Sequence, residues 1–433
     1  MMNASFLLRL CTIATISGCL AATSLLGCSD DPDPITLNDG DNVLEINQGN
    51  NGENQNQNND PTTNDNQNQN QNNDPPGPGD LETVTVLDDN ASMTSGSSNL
   101  IEVEVPEGTY SMSITVTDGT PTNMYYVDNW QGPGGFQLVP PGWASAQTQV
   151  CHQNCNNRIA MSAAAFSALA PNNPNAKVDP GTHQFQVGAM SMTGGAVPNE
   201  TVKVTVHAEV VEDGLPPRGT LDLNLFFSGS NGWTASTAEN SAEVAQMIDE
   251  VDHIYDQVGI DIGQVAYHDV DSSYQIIEDS LSGTGDLSQM FMNSAQATLE
   301  GPSVFFVSEL RAGFGGMGGQ QGGGSILGIS GGIPGPVMVD GSRRGGVAVA
   351  TDSSQGFGAP GIAHVTAHEV GHYLGLFHTT EQAMGSFGGG PSHDPLPDTP
   401  EDDPSYLMYY SGQGDLMSEW QGRVMRKNPW VTF

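Results

Sequence analysis

From Leu81 onward, apolar and polar side chains alternate with period two, in Thr83-Val84-Thr85-Val86, in Ile101-Glu102-Val103-Glu104-Val105, and over residues 111–116 and 202–210. Clusters of Gly, Pro, Asn and Asp separate these runs. A period of two places neighbouring side chains on opposite faces, which predicts antiparallel strands with one buried face. Residues 81–212 therefore read as an all-β, sandwich-like domain of immunoglobulin-like size. Nothing in it resembles a catalytic constellation. It fits a substrate-binding module, a spacer, or a pro-segment removed on activation.

The pattern changes after Arg218. Residues 221–227 read as a strand, and 241–258 as an amphipathic helix with Val244, Met247, Ile248, Val251 and Tyr255 at helical spacing. Ser241, with Glu243 in the first turn, is the expected cap. Strand 262–267, helix 287–299 and strand 304–307 follow, then strand-like 326–329 and 347–350. Strands alternating with helices make 215–433 an α/β domain with a mixed twisted sheet. The glycine run 313–324 lacks the Lys-Ser/Thr ending of a phosphate loop, so it reads as a surface loop.

The first 80 residues carry neither pattern. Residues 1–28 contain no acid and one base, Arg9, ahead of an apolar stretch, as a secretory signal does. The stretch ends Leu25-Leu26-Gly27-Cys28, which resembles the bacterial lipoprotein box; Cys28 would be acylated, with Cys19 as the second candidate. A lipid anchor would hold the chain at the bacterial envelope, on the outer membrane or cell surface, without a spanning helix. Plain secretion is the alternative. Residues 29–80 hold 11 acids, no Lys or Arg, and repeats such as Asn54-Gln55-Asn56-Gln57-Asn58. With so few aliphatic side chains the segment cannot offset its ordering entropy, and it reads as a disordered tether reaching roughly 40 Å.

Charge narrows the partners. With 50 acidic against 11 basic side chains the formal charge is −39, which argues against nucleic acid. The leader carries +1, the tether −11, and residues 81–433 the remaining −29, a field that favours basic stretches in a substrate. Cys151 and Cys155 are the only Cys pair of the mature chain, and outside the cytoplasm a short-loop disulfide is the leading reading. A zinc site with His152, or a thiolate capping a metal in a latent form, are the others.

The decisive stretch is His368-Glu369-Val370-Gly371-His372-Tyr373-Leu374-Gly375-Leu376-Phe377-His378. On a helix, Ala363, Ala367, Val370 and Leu374 share one stripe, while His368 and His372, four apart, lie together nearly opposite it. That spacing lets two imidazoles meet one zinc ion. Glu369 points to the side of the pair, towards a water at the metal rather than the metal itself. Gly375 allows a left-handed turn that ends the helix, so that His378 can return as third ligand. Three protein ligands leave a position for water, as in catalytic sites.

This extended motif resembles the metzincin metallopeptidases. Their methionine turn is matched by Ser405-Tyr406-Leu407-Met408-Tyr409-Tyr410, with Met408 as the floor under the imidazoles. Within the clan the sequence is most similar to the pappalysin family, on the helix text, on Asp398-Thr399-Pro400 and on Tyr410; the absence of cysteine after Cys155 departs from it. The resemblance spans about residues 215–433. It implies a zinc endopeptidase acting on protein or peptide substrates, with Glu369 as general base and Tyr410 hydrogen-bonding the tetrahedral oxyanion. Residues 326–329 or 347–350 would border the cleft and take substrate as an added strand.

His364, one turn before His368, reads as a helix-surface residue or one behind the ligands; Tyr409 and Trp420 read as core or cleft wall. His393, Asp394, Asp398, Glu401, Asp402 and Asp403 form an acid-rich loop whose oxygens suit calcium and suit solvated surface equally well. The rival to the enzyme is an envelope-surface binding protein that acts through the β-region, with a secondary or inactive peptidase domain.

Overall fold

A computed structural model describes residues 81–433 apart from 146–148, 153, 212–217, 280–281, 312–324, 353–357, 382–391 and 413. The leader with Cys19 and Cys28, the tether 29–80, the boundary near Leu215 and the glycine run 313–324 lie outside the described residues. The described residues of 81–433 fall within one compact unit.

Among the described residues the β-region is built on one continuous ten-stranded antiparallel sheet, with Val150–Cys151 and Ile159–Ala160 as a separate two-stranded ladder. The long strand Leu81–Thr94 pairs with Glu200–Val211 along most of its length. At its end Ser95 and Gly96, both at positive φ, turn the chain into Ser97–Ser98. That short strand pairs in turn with Gly181–Ser191, which joins the two halves. Inward residues of both halves share one core, with Ile114, Val116, Val204 and Val206 from one side and Tyr125, Val127, Phe185 and Val187 from the other. Alternation predicts each strand's buried face but not the handover at its end.

The C-terminal sheet runs Ile260–Asp269, Gly219–Phe227, Ser303–Val307, Val347–Ala350, Gly328–Ser330. The first four strands are parallel, and Gly328–Ser330 lies antiparallel at the edge. Val347–Ala350 is therefore interior, and Gly328–Ser330 is the edge strand next to it among the described residues. Parallel neighbours need a crossover, and helix Ala242–Asp256 supplies the first one, capped by Ser241, whose Oγ accepts from Val244 N at 3.4 Å. Helix Asp286–Phe291 is shorter than the expected 287–299 and continues as a 3₁₀ turn, Met292–Gln296. Residues 326–329 are split between two short strands, Ser325–Ile326 and Gly328–Ser330.

Helix Ala359–Tyr373 packs against this sheet and against helix Ala242–Asp256, where Tyr255 Oη donates to Ala367 O at 2.7 Å. Residues 365–373 are buried without exception, so the helix is covered on its polar side as well as along its apolar stripe. The β-region shares this core. Leu169 belongs to the same apolar cluster as Leu374, Leu376 and Val424.

Candidate metal centre

The helix Ala359–Tyr373 fixes two of the three histidines, and the turn after it fixes the third. Gly375 sits at φ +113°, in the left-handed region, and an added Cβ would stand 3.1 Å from Leu169 Cδ2. Both conformation and space therefore call for glycine here. The turn brings His378 Nε2 to 3.1 Å from His368 Nε2 and to 3.1 Å from His372 Nε2. Tetrahedral zinc at about 2.0–2.1 Å from each nitrogen would space them about 3.3 Å apart. The donor set fits.

The far side of each ring determines what the near side offers. His368 Nδ1 donates to Leu407 O at 2.7 Å, and His372 Nδ1 donates to Leu376 O at 2.7 Å. A carbonyl can only accept, so both rings carry their proton on Nδ1 and leave a lone pair on Nε2. His378 Nδ1 faces Glu381 Oε1 at 2.7 Å, with the same consequence. Burial, together with the neighbouring imidazoles, pushes His368 down to about 4 and holds His372 well below the ordinary imidazole value, so both are neutral near pH 7. Three lone pairs then face one another at close range with no proton among them. A cation at that point relieves the repulsion. This trio is the one cluster of potential metal ligands among the described residues.

Glu369 is 8 % exposed and lies against the edge strand, since a Cβ added at Gly328 would stand 2.5 Å from Glu369 Cγ. Burial pushes its carboxyl up to about 8, partly offset by the Ser330 backbone N–H. A divalent cation beside it would draw it back towards the carboxylate that a base requires. Met408 is fully buried, and its Sδ would stand 2.9 Å from a Cβ at Gly371, so the helix is bare where the sulfur passes beneath it. Tyr410 is 37 % exposed and lies 4.6 Å from the Tyr409 ring, and the same turn runs on to Gly412 beside His368. His364 lies 3.4 Å from Glu250, away from the trio's hydrogen bonds. Cys151 and Cys155 form a disulfide, with Cα atoms 5.8 Å apart.

In the acid-rich loop three carboxylates each engage one oxygen with a nearby donor. Asp394 Oδ1 accepts from Leu396 N and Thr399 Oγ1, Asp398 Oδ2 accepts from Trp420 N, and Asp403 Oδ1 accepts from Ser405 N and Oγ. Glu381 was not anticipated from sequence, although its place three residues after His378 was the available signal.

Residues 241–379 match the family Reprolysin_3, described as metallo-peptidase family M12B reprolysin-like. This part of the chain is a metallopeptidase-type domain. The match includes His368, Glu369, His372 and His378 and stops before Met408 and Tyr410. Among solved structures, metalloproteinase-II from Bacteroides fragilis is similar at 14 % identity and TM-score 0.29, covering 51 % of this chain and 62 % of that one. A chaperone–substrate complex is similar at 14 % identity and TM-score 0.25, covering 54 % and 43 %. The chain thus spans less than two thirds of either, and likenesses at these scores carry no weight for its fold or activity. Comparison with curated proteins finds no match.

Proposed function

We propose that this chain is a zinc-dependent endopeptidase in which His368, His372 and His378 hold the metal and Glu369 is the general base. The observation that carries the reading is the convergence of three Nε2 atoms whose Nδ1 protons are all engaged elsewhere. Zinc, when bound, supplies a Lewis acid that polarises the scissile carbonyl and acidifies a water. Glu369 takes the proton from that water and later passes it to the leaving amine, and its burial keeps the transferred proton from bulk solvent. Tyr410, on the turn bordering His368, donates its hydroxyl to the oxyanion. Gly328–Ser330 is the antiparallel edge beside Glu369, and an extended substrate would add to it as a further strand. Gly328 leaves room for Glu369 to lie directly behind that strand.

The finer reading places the enzyme near the pappalysins, exported and anchored through Cys28 at the bacterial envelope. It is supported by Asp398-Thr399-Pro400, Tyr410 and the composition of residues 1–80. The purified chain is expected to cleave casein. Cleavage should stop with a chelator, return with zinc, and be absent in Glu369→Ala. A wild-type chain that carries one zinc and cleaves nothing would refute the proposal. Mass spectrometry of the native N-terminus tests the anchor, which requires an acylated Cys28.

A further inference from the structure

Arg158 belongs to the β-region, yet its side chain lies beside the third candidate ligand. It is 4 % exposed, and its guanidinium carbon lies 4.3 Å above the ring of Phe377, the residue before His378. Nη2 is 2.9 Å from His152 Nδ1, within the disulfide-closed loop Cys151–Cys155. Burial lowers Arg158 only to about 10, so it remains a cation at neutral pH. The carboxylates that feel this charge are Asp394 and Glu381.

Both carboxylates belong to the frame of the metal centre. Glu381 accepts the Nδ1 proton of His378. Asp394 N donates to Thr379 O at 2.9 Å, and Thr379 N donates to Met408 O at 2.8 Å, so Asp394 is stitched through the residue after His378 to the methionine turn. Asp394 is 5 % exposed, and its Oδ2 has no hydrogen-bond partner, just as Nε of Arg158 has none. Asp394 is buried and Glu381 half-buried, and a cation near both offsets the desolvation cost of the charges they carry.

We propose that Arg158 is a positioning residue of the peptidase site: by stacking on Phe377 and balancing Glu381 and Asp394, it holds His378 at the metal. The inference rests on the zinc reading above. It makes the β-region part of the working enzyme, because a pro-segment that departed with residues 81–212 would remove the cation and leave both carboxylates unbalanced. Other contacts across the same boundary agree. Arg344 Nε donates to Ala163 O at 2.9 Å, Ser162 Oγ to Gly331 O at 3.2 Å beside the edge strand, and Ser111 Oγ to Lys427 O at 2.7 Å.

The test is zinc affinity of the full chain, measured by competition with a chromophoric chelator, for wild type, Arg158→Ala and Arg158→Lys. Removing partners that orient metal-ligating histidines typically costs 10–100-fold in metal affinity. Arg158→Ala is expected to bind zinc roughly tenfold more weakly, with kcat falling more than KM rises, and Arg158→Lys to recover part of the loss. If Arg158→Ala does not fold, Arg158→Met with Asp394→Asn removes two buried charges together and should still bind zinc weakly, because Glu381 stays unbalanced. Wild-type affinity in either variant would overturn the inference while leaving the zinc reading intact. Failure of the wild-type chain to bind zinc would overturn both.

Discussion

Two regions of this molecule bury polar groups whose hydrogen-bonding capacity is not fully used, and only one of them has the makings of a site. At the histidine trio every Nδ1 is engaged, and the three remaining lone pairs point at one another. On the β-sheet, Ser113 Oγ, His207 Nδ1 and the Glu209 carboxyl are also buried, with only the Thr83 hydroxyl near Glu209. There His207 stands opposite Ser113, and Glu209 opposite Ser111, two residues further along the ladder. Among the described residues these groups do not gather into a set of three potential ligands, as the histidines do. Leftover polar atoms point to chemistry when they converge; spread along a ladder, they are a stability cost.

The sharpest way to break this contrast is at the trio. Glu369→Gln should keep the metal and lose roughly 10²–10⁴-fold in kcat, the usual worth of a positioned general base. Retained turnover with zinc bound would remove Glu369 from the chemistry. Glu381→Gln keeps the size of the side chain but weakens the acceptor of the His378 proton, and should lower zinc affinity about 10–100-fold. An unchanged chelator titration would show that the Nδ1 contact matters little.

The sheet should answer to pH instead. Burial pushes Glu209 from an ordinary 4.5 up to about 7, so the folded chain keeps a proton that the unfolded chain releases. This contribution is fully present below pH 4.5 and is lost as pH rises through 7. Glu209→Gln should gain on the order of 2 kcal/mol over wild type between pH 4 and 8, read from denaturant unfolding, with zinc affinity unchanged. A pH-independent difference would contradict the burial argument. The smallest effect is expected in the acid-rich loop, where Asp398→Ala removes the acceptor for Trp420 N in the first turn of helix Glu419–Met425. It should cost about 1 kcal/mol of stability and leave zinc binding untouched. A loss of metal there would make the loop part of the centre.

How much of this was legible in sequence follows the range of each interaction. His368, His372 and Gly375 sit within one helix and its end, so spacing alone brings the histidines together and provides for the return of His378. The Gly371–Met408 contact follows from the motif only once a methionine turn is expected, because the helix text by itself does not say what passes beneath it. Alternation in the β-region gives the strands and their buried faces. It does not give their union into one sheet, which depends on Ser95 and Gly96 turning the chain at positive φ. Nor does it give Arg158, whose neighbours Phe377, Glu381 and Asp394 lie far along the chain and obey no local period. Glu369's position against Gly328 was hidden for the same reason: the edge strand reaches the helix only through the folded sheet.

The most direct measurement is a titration of the metal-free full chain with zinc, counting bound ions by native mass spectrometry for wild type, Glu369→Gln and His372→Ala. One zinc on wild type and on Glu369→Gln, and none on His372→Ala at the same free concentration, is the expected result. A wild-type chain that binds no zinc, or a His372→Ala chain that binds it equally well, would contradict the centre described here.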